Sequence, residues 1–176
     1  MTESKNDTLD ALWGHGEDSP ERRQAFQYFE KAYRFQMEGK LDEAIECYEK
    51  SIARYPTAEA HTFLGWTYSF KGDLDRAIAE CLNAIEVDPD FGNPYNDIGA
   101  YLIEKEDPYS AIPWLKKAMV AKRYECYYYP HYNLGRVREM QRRWLDALHE
   151  YDAALDYYPD YESAIKAIRR VQGKVN

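Results

Sequence analysis

Small residues recur along this chain in step with larger apolar ones. Ala32, Gly65, Gly99 and Gly135 form one series; Ala44, Ala77, Ala111 and Ala147 form a second; Ser51, Ala84, Ala118 and Ala154 form a third. Each series advances by 33, 34 and then 36 residues. Three registers sharing one irregular ladder mean four copies of one unit, and a period near 34 residues is that of a helical solenoid. The second and third series lie seven residues apart, which is two helical turns, so both sit on one helix face. A larger apolar residue follows each small one: Ile45, Ile78, Ile112 and Leu148, then Ile52, Ile85, Met119 and Leu155. Such a stripe is a buried face, and its small positions let neighbouring helix axes come close.

The pattern predicts two antiparallel helices, A and B, in each copy. Helices A fall at about 20–37, 59–71, 94–105 and 128–141, and helices B at about 41–54, 74–87, 108–121 and 144–157. Gly39 and Gly72 stand where a left-handed residue would end helix A. Ser19-Pro20 and Asp107-Pro108 read as an N-cap followed by proline in the first turn. Pro56, Pro89 and Pro159 stop successive B helices. Pro113 falls inside the third B helix, which either bends there or starts one turn later. Copies change length only between the last B marker and the next A marker, at gaps of 14, 15 and 17, so the packing faces stay intact. Four units are expected over 19–160, at about 20–57, 58–91, 92–127 and 128–160. Residues 161–176 read as a capping helix and tail, with Lys166, Arg169 and Arg170 turned outward, as solenoid ends need a polar cover. Residues 1–18 read as a flexible tail, in which Leu9, Leu12 and Trp13 are an unusual apolar cluster.

The second copy carries His61, Leu64-Gly65, Tyr68, Gly72, Ala77, Ala84 and Pro89. The fourth has Leu134-Gly135, Ala147, Tyr151, Ala154 and Pro159, and the first Ala32, Phe35, Gly39, Ala44, Tyr48 and Pro56. This pattern resembles the tetratricopeptide repeat across roughly residues 25–161. The third copy departs most, with Glu106 at the hinge glycine and Arg123 at the terminal proline. The resemblance implies an all-α, right-handed α-solenoid of four helix pairs plus a C-terminal capping helix. It also implies a concave groove lined by the A helices as the ligand surface.

Carried onto this register, the groove offers Phe29, Tyr33 and Met37, then Thr62, Phe63, Trp66 and Phe70, then Asn93, Asn96, Asp97 and Glu104, then Tyr129, Tyr132, Asn133, Arg136 and Met140. One half is aromatic and the other polar. Phe29, Tyr33, Phe63, Trp66 and Phe70 are expected to hold an apolar peptide or helix, since rigid aromatics make good interface anchors. Asp97, Asn133 and Arg136 are expected to orient its polar groups, and Tyr132 is a further expected partner-binding residue. The competing reading is that several of these rings pack the A helices together. Some relatives clamp a chaperone's terminal carboxylate with Lys, Arg and Asn on three A helices. Here Phe29, Tyr33, Phe63, Asn93 and Asp97 stand at those positions, so no such clamp is expected. The tail's Leu9, Leu12 and Trp13 are a second candidate occupant of the groove, in cis or in a dimer.

Charge adds direction. The 176 residues carry a net charge of −8, which disfavours nucleic acid and anionic membrane as general partners. Residues 1–90 sum to −9 and 91–176 to +1. Arg136, Arg138, Arg142 and Arg143 beside the tyrosines are the basic patch that a nucleic acid would need. They read equally as a solvated face opposite Asp146, Glu150 and Asp152. The stretch Lys122–Tyr132, KRYECYYYPHY, holds the extra residues between the third and fourth copies. It is either an adhesive surface or a turn folded onto the solenoid, and a route to a homo-oligomer in the first case. Cys47, Cys81 and Cys126 are odd in number and widely spaced, which fits a reduced, cytoplasmic compartment. The N-terminus lacks a secretory pattern, and no segment has the roughly 18 apolar residues of a membrane span.

Chemistry is sparse. His61 and His131 share one repeat position and read as partly buried structural groups. No zincin, CxxC, phosphate-loop or hydrolase-elbow pattern occurs, so no catalytic residue, metal or cofactor is expected. The function expected is non-catalytic protein binding, as an adaptor or scaffold. The alternatives are a dedicated chaperone for an apolar client and a self-assembling structural subunit.

Overall fold

The computed structural model describes residues 19–175. The predicted tail and its Leu9, Leu12 and Trp13 lie outside them. Among the described residues are nine α-helices: α1 Pro20–Met37, α2 Leu41–Arg54, α3 Ala58–Phe70, α4 Leu74–Val87, α5 Asn93–Glu104, α6 Pro108–Ala118, α7 Tyr128–Met140, α8 Trp144–Tyr157 and α9 Glu162–Val175. The chain divides into two compact units, Met1–Asp88 and Pro89–Asn176.

In the first unit α1 pairs with α2 and α3 with α4, and α2 also packs on α3. Ala32, Ala44, Ser51, Ala77 and Ala84 have no exposed surface, so the small ladder is the seam of the packing. Gly65 shows why one rung admits no side chain: a Cβ there would stand 2.9 Å from the Ala77 carbonyl oxygen. Side-chain oxygens start three of the four helices here, α1, α3 and α4. Ser19 Oγ accepts from the Arg22 amide at 3.1 Å, Thr57 Oγ1 from Ala60 at 3.1 Å and Asp73 Oδ1 from Arg76 at 3.1 Å. Each cap satisfies an amide that the helix itself leaves open.

The second unit repeats the hairpin with α5–α6 and α7–α8, and α9 packs on α8. Ala164, Ala167 and Val171 of α9 are fully buried against Ala147, Tyr151 and Ala154. Its outer residues, Lys166, Arg169 and Arg170, are exposed, as a cap requires. This helix runs from Glu162 to Val175, so it takes up nearly all of the expected cap and tail. Its last turn brings Lys174 Nζ to Glu139 Oε1 at 3.1 Å, beside Arg170 Nη2 at 2.7 Å from Oε2. The Tyr151 hydroxyl donates to the same carboxylate at 3.0 Å. The Arg170 hydrogen bond, helped by Lys174 and Tyr151 and opposed by burial, brings the Glu139 carboxyl down to about 2. Gln36 holds the equivalent place in the first unit, where Tyr48 donates to its Oε1 at 2.7 Å.

Two expectations change. The third B helix ends at Ala118 instead of 121, because the chain turns to pair with the segment before α5. There the Arg123 amide donates to the Asp90 carbonyl at 2.9 Å and the Gly92 amide to the Arg123 carbonyl at 3.0 Å. Tyr124 then lies over Gly92, where any Cβ would collide with its ring. Pro113 sits within a helix that starts at Pro108, so the later start is excluded.

The A-to-B hinge is the same in all four copies, although two lack glycine. Gly39 and Gly72 have φ of 75° and 79°; Glu106 and Arg142 have φ of 61° and 57°. At each, the next amide reaches back to close the helix end: Lys40 to Phe35, Asp73 to Tyr68, Asp107 to Leu102 and Arg143 to Arg138, all near 2.9–3.0 Å. This is the six-to-one bond of a left-handed helix stop.

Candidate partner-binding surface

In the first unit, helical spacing on α1 and α3 strings aromatic rings together. Phe29 lies 5.2 Å from Phe63, Tyr33 5.9 Å from Phe63, Phe63 5.6 Å from Trp66, and Trp66 6.0 Å from Phe70. Exposure divides this string. Phe29 has no exposed surface and meets the Tyr48 ring at 5.5 Å, so it belongs to the core and not to the surface expected of it. Phe63 is also buried, at 8% exposed, and supports its neighbours from beneath. Tyr33 is half-buried. Trp66 and Phe70 are 43% and 56% exposed, and Met37 is exposed as well. The rings a partner can touch are therefore Trp66 and Phe70, with Tyr33 and Met37 beside them on the A helices.

The second unit presents polar groups on its A helices. Arg136 Nη1 donates to Asn133 Oδ1 at 3.1 Å, Asn133 Nδ2 to Asn96 Oδ1 at 3.0 Å, and Asn96 Nδ2 to Asp97 Oδ1 at 3.3 Å. The sequence-predicted Asp97, Asn133 and Arg136 are thus joined through Asn96. Both asparagines are buried, while Asp97 and Arg136 keep part of their surface. Burial pushes the Asp97 carboxyl up to about 7, opposed by the Asn96 hydrogen bond.

Tyr132 belongs to a different neighbourhood. Its ring lies 5.3 Å from Tyr161 and 5.6 Å from Tyr151. Tyr128 and Tyr129 also reach Tyr161, at 5.0 and 5.8 Å. Burial, opposed by a Ser163 hydrogen bond and reinforced by Tyr132 and Tyr129, pushes the Tyr161 hydroxyl up to about 12. Most of the Tyr-rich stretch is folded inward. Tyr124 is buried, Tyr127 donates to the Ala121 carbonyl at 3.1 Å, and Tyr129 stays exposed. Tyr157 and Tyr158 at the end of α8 add exposed rings to this cluster.

The two histidines of the shared repeat position are tied to the B helices. His61 Nδ1 lies 2.7 Å from Glu80 Oε2 and His131 Nδ1 3.0 Å from Glu150 Oε2. A carboxylate only accepts, so Nδ1 carries the proton in each pair. The third copy places Tyr95 and Trp114 at the same two positions, with rings 6.2 Å apart. These are A-to-B fasteners. Among the described residues, no group of three or more His, Cys, Asp or Glu is gathered to hold a metal.

Sequence profiles of the tetratricopeptide repeat match residues 23–58 and 58–91. The chain carries tetratricopeptide repeats. Over 64 residues this repeat protein is 38% identical to the small glutamine-rich tetratricopeptide repeat-containing protein of Dictyostelium discoideum. That match takes in 35% of this chain and 19% of the relative, so the chain spans about a fifth of the relative's length. Among solved structures, MamA aligns with a TM-score of 0.70 at 23% identity, covering 86% of this chain and 82% of MamA. PilF of Pseudomonas aeruginosa aligns at 0.82 and 18%, over 89% and 71%. PilW, a type IV pilus biogenesis factor, aligns at 0.78 and 19%, over 84% and 68%. At these identities the likeness establishes fold: the all-α solenoid class of tetratricopeptide-repeat proteins. That fold is in general a protein-interaction scaffold. No described helix of the repeat protein is long and apolar enough to cross a membrane.

Sequence reasoning missed two residues in particular. Asn96 was one groove position among several, yet it is the link between Asn133 and Asp97. Glu139 went unnoticed, although its spacing to Tyr151 repeats that of Gln36 to Tyr48.

Proposed function

We propose that this chain is a non-catalytic adaptor whose A helices bind a peptide or helix through apolar anchors. The carrying observation is the pair Trp66 and Phe70, exposed yet held in place by the buried Phe63 beneath them. A rigid, half-exposed tryptophan backed by a packed aromatic core is the form that interface anchors take, because little side-chain entropy remains to be lost on binding. On the second unit's own A helices, Asp97 and Arg136 keep accessible surface for polar contacts, and the buried Asn133 and Asn96 hold them in place. A cytoplasmic setting belongs to the same reading, supported by three free cysteines.

The test is affinity capture from the source cell's extract with wild type and a Trp66→Ala/Phe70→Ala variant of unchanged helicity. A partner retained by wild type and lost by the variant supports the site; identical captures refute it. Self-association is a second reading, favoured by the exposed Tyr129, Tyr157 and Tyr158 rings of one cluster. Mass measured against protein concentration checks it, and a mass that stays monomeric at high concentration refutes it.

A further inference from the structure

The polar string in the second unit has a direction. Arg136 can only donate and an ionised Asp97 can only accept, so the two amides between them are oriented by the ends. Arg136 donates to Asn133, Asn133 to Asn96 and Asn96 to Asp97, at 3.1, 3.0 and 3.3 Å. The strip across α5 and α7 is therefore positive at Arg136 and negative at Asp97, and each bond polarises the next.

Its negative end is incomplete. Among the described residues no Lys, Arg or His pairs with Asp97, and its hydrogen bond comes from the Asn96 amide. Asn96 on its own helix touches it, Asn133 and Arg136 of α7 follow along the string through Asn96, and Tyr124 lies before α7. Tyr124 lies close enough to feel the Asp97 charge, which, after burial, raises its hydroxyl further. A desolvated carboxylate without a cation is unfavourable, and a cation brought by a ligand removes that cost. Asp97 nevertheless keeps part of its surface accessible. One carboxylate with an amide is too few oxygens for a metal ion, and its charge repels an acidic group.

We propose that Asp97 receives a lysine or arginine side chain of a peptide partner that lies along α5 and α7. This rests on the reading of the A helices as the partner surface. A charge-assisted bond from an ammonium or guanidinium completes the string, and Arg136 at the far end meets an oxygen of the same peptide.

The probe is n-butylguanidinium, titrated at pH 8 into the full chain while the Asn96 and Asn133 side-chain amide signals and the Asp97 carboxyl carbon are followed by NMR. We expect saturable shifts of both amides and a lowered Asp97 titration midpoint. Affinity should fall by about tenfold for each pH unit below 7, as the carboxyl takes up its proton. Asp97→Asn, which keeps the size and the amide contacts, should bind the probe at least about tenfold more weakly. Butyrate should not lower the Asp97 midpoint. An Asp97→Asn variant that binds as wild type does, or a wild-type midpoint unmoved by the probe, overturns the inference; the second readout needs no variant to fold. The extract capture reads the apolar anchors and this titration reads Asp97 alone with a small probe, so failure of the apolar-anchor reading and failure of this one are separate results.

Discussion

Glu106 and Arg142 occupy left-handed hinge positions that glycine fills in the first two copies. Replacing each by glycine should stabilise the protein. A left-handed L-residue is disfavoured by roughly 1–2 kcal/mol through contact of its Cβ with the backbone. Glycine escapes this but loses about 0.5–1 kcal/mol more backbone entropy on folding. The net gain is about 0.5–1 kcal/mol per site. Both side chains are exposed, so little else changes. Glu106→Gly/Arg142→Gly should then gain about 1–2 kcal/mol, since sites this far apart are near-additive. With a urea slope of about 2 kcal/mol/M, the midpoint rises by roughly 0.5–1 M at unchanged slope. The reverse changes, Gly39→Ala and Gly72→Ala, are clean controls, because a Cβ at either would meet nothing within 4 Å. Each should lose about 1 kcal/mol from conformation alone. Equilibrium unfolding followed by circular dichroism reads all four. A double-glycine variant that unfolds at the wild-type urea concentration, or below it, refutes a left-handed hinge at these positions.

Other perturbations separate core from surface and test the cap. Phe63→Ala should cost about 3–5 kcal/mol in urea unfolding, as a buried aromatic does, while the half-exposed Trp66→Ala should cost about 1 kcal/mol or less. Gly65→Ala, which meets backbone, should cost about 1–3 kcal/mol by the same assay. Glu139 has a folded pKa near 2 against an ordinary value of 4.5. Its contribution is therefore complete above about pH 4.5 and is lost as pH falls toward 2. The Arg170 side of the pair is half-exposed, so screening leaves about 1 kcal/mol. Glu139→Gln should lose that at pH 7 and no longer weaken over this window; an unchanged pH profile would refute the anchoring of α9.

The helix pairs were legible because burial imposes period: the small ladder, its Ile and Leu followers and the capping Ser19 and Asp107 all act locally. Packing of residues far apart in sequence was less legible. Phe29 stands in groove register, yet the Tyr48 and Phe63 rings close over it, and nothing within its own helix signals that. Hinge glycines are a poor guide in the later copies, because Glu106 and Arg142 accept the same φ at a cost. The turn around Arg123 depends on backbone pairing with Asp90 and Gly92, more than thirty residues away. Its trace in sequence is Gly92, whose missing Cβ makes room for Tyr124. Likewise Asp97 looked like one polar residue among many until its neighbours proved to be amides and not cations.

The central claim is that partners engage the exposed rings of the A helices. The most direct measurement is site-specific photocrosslinking in the source cell, with p-benzoylphenylalanine in place of Trp66 and, separately, of the exposed Glu46 on helix α2. The account predicts a discrete adduct from position 66 and none from position 46. Adducts from position 46 alone, or equal adducts from both, would contradict it.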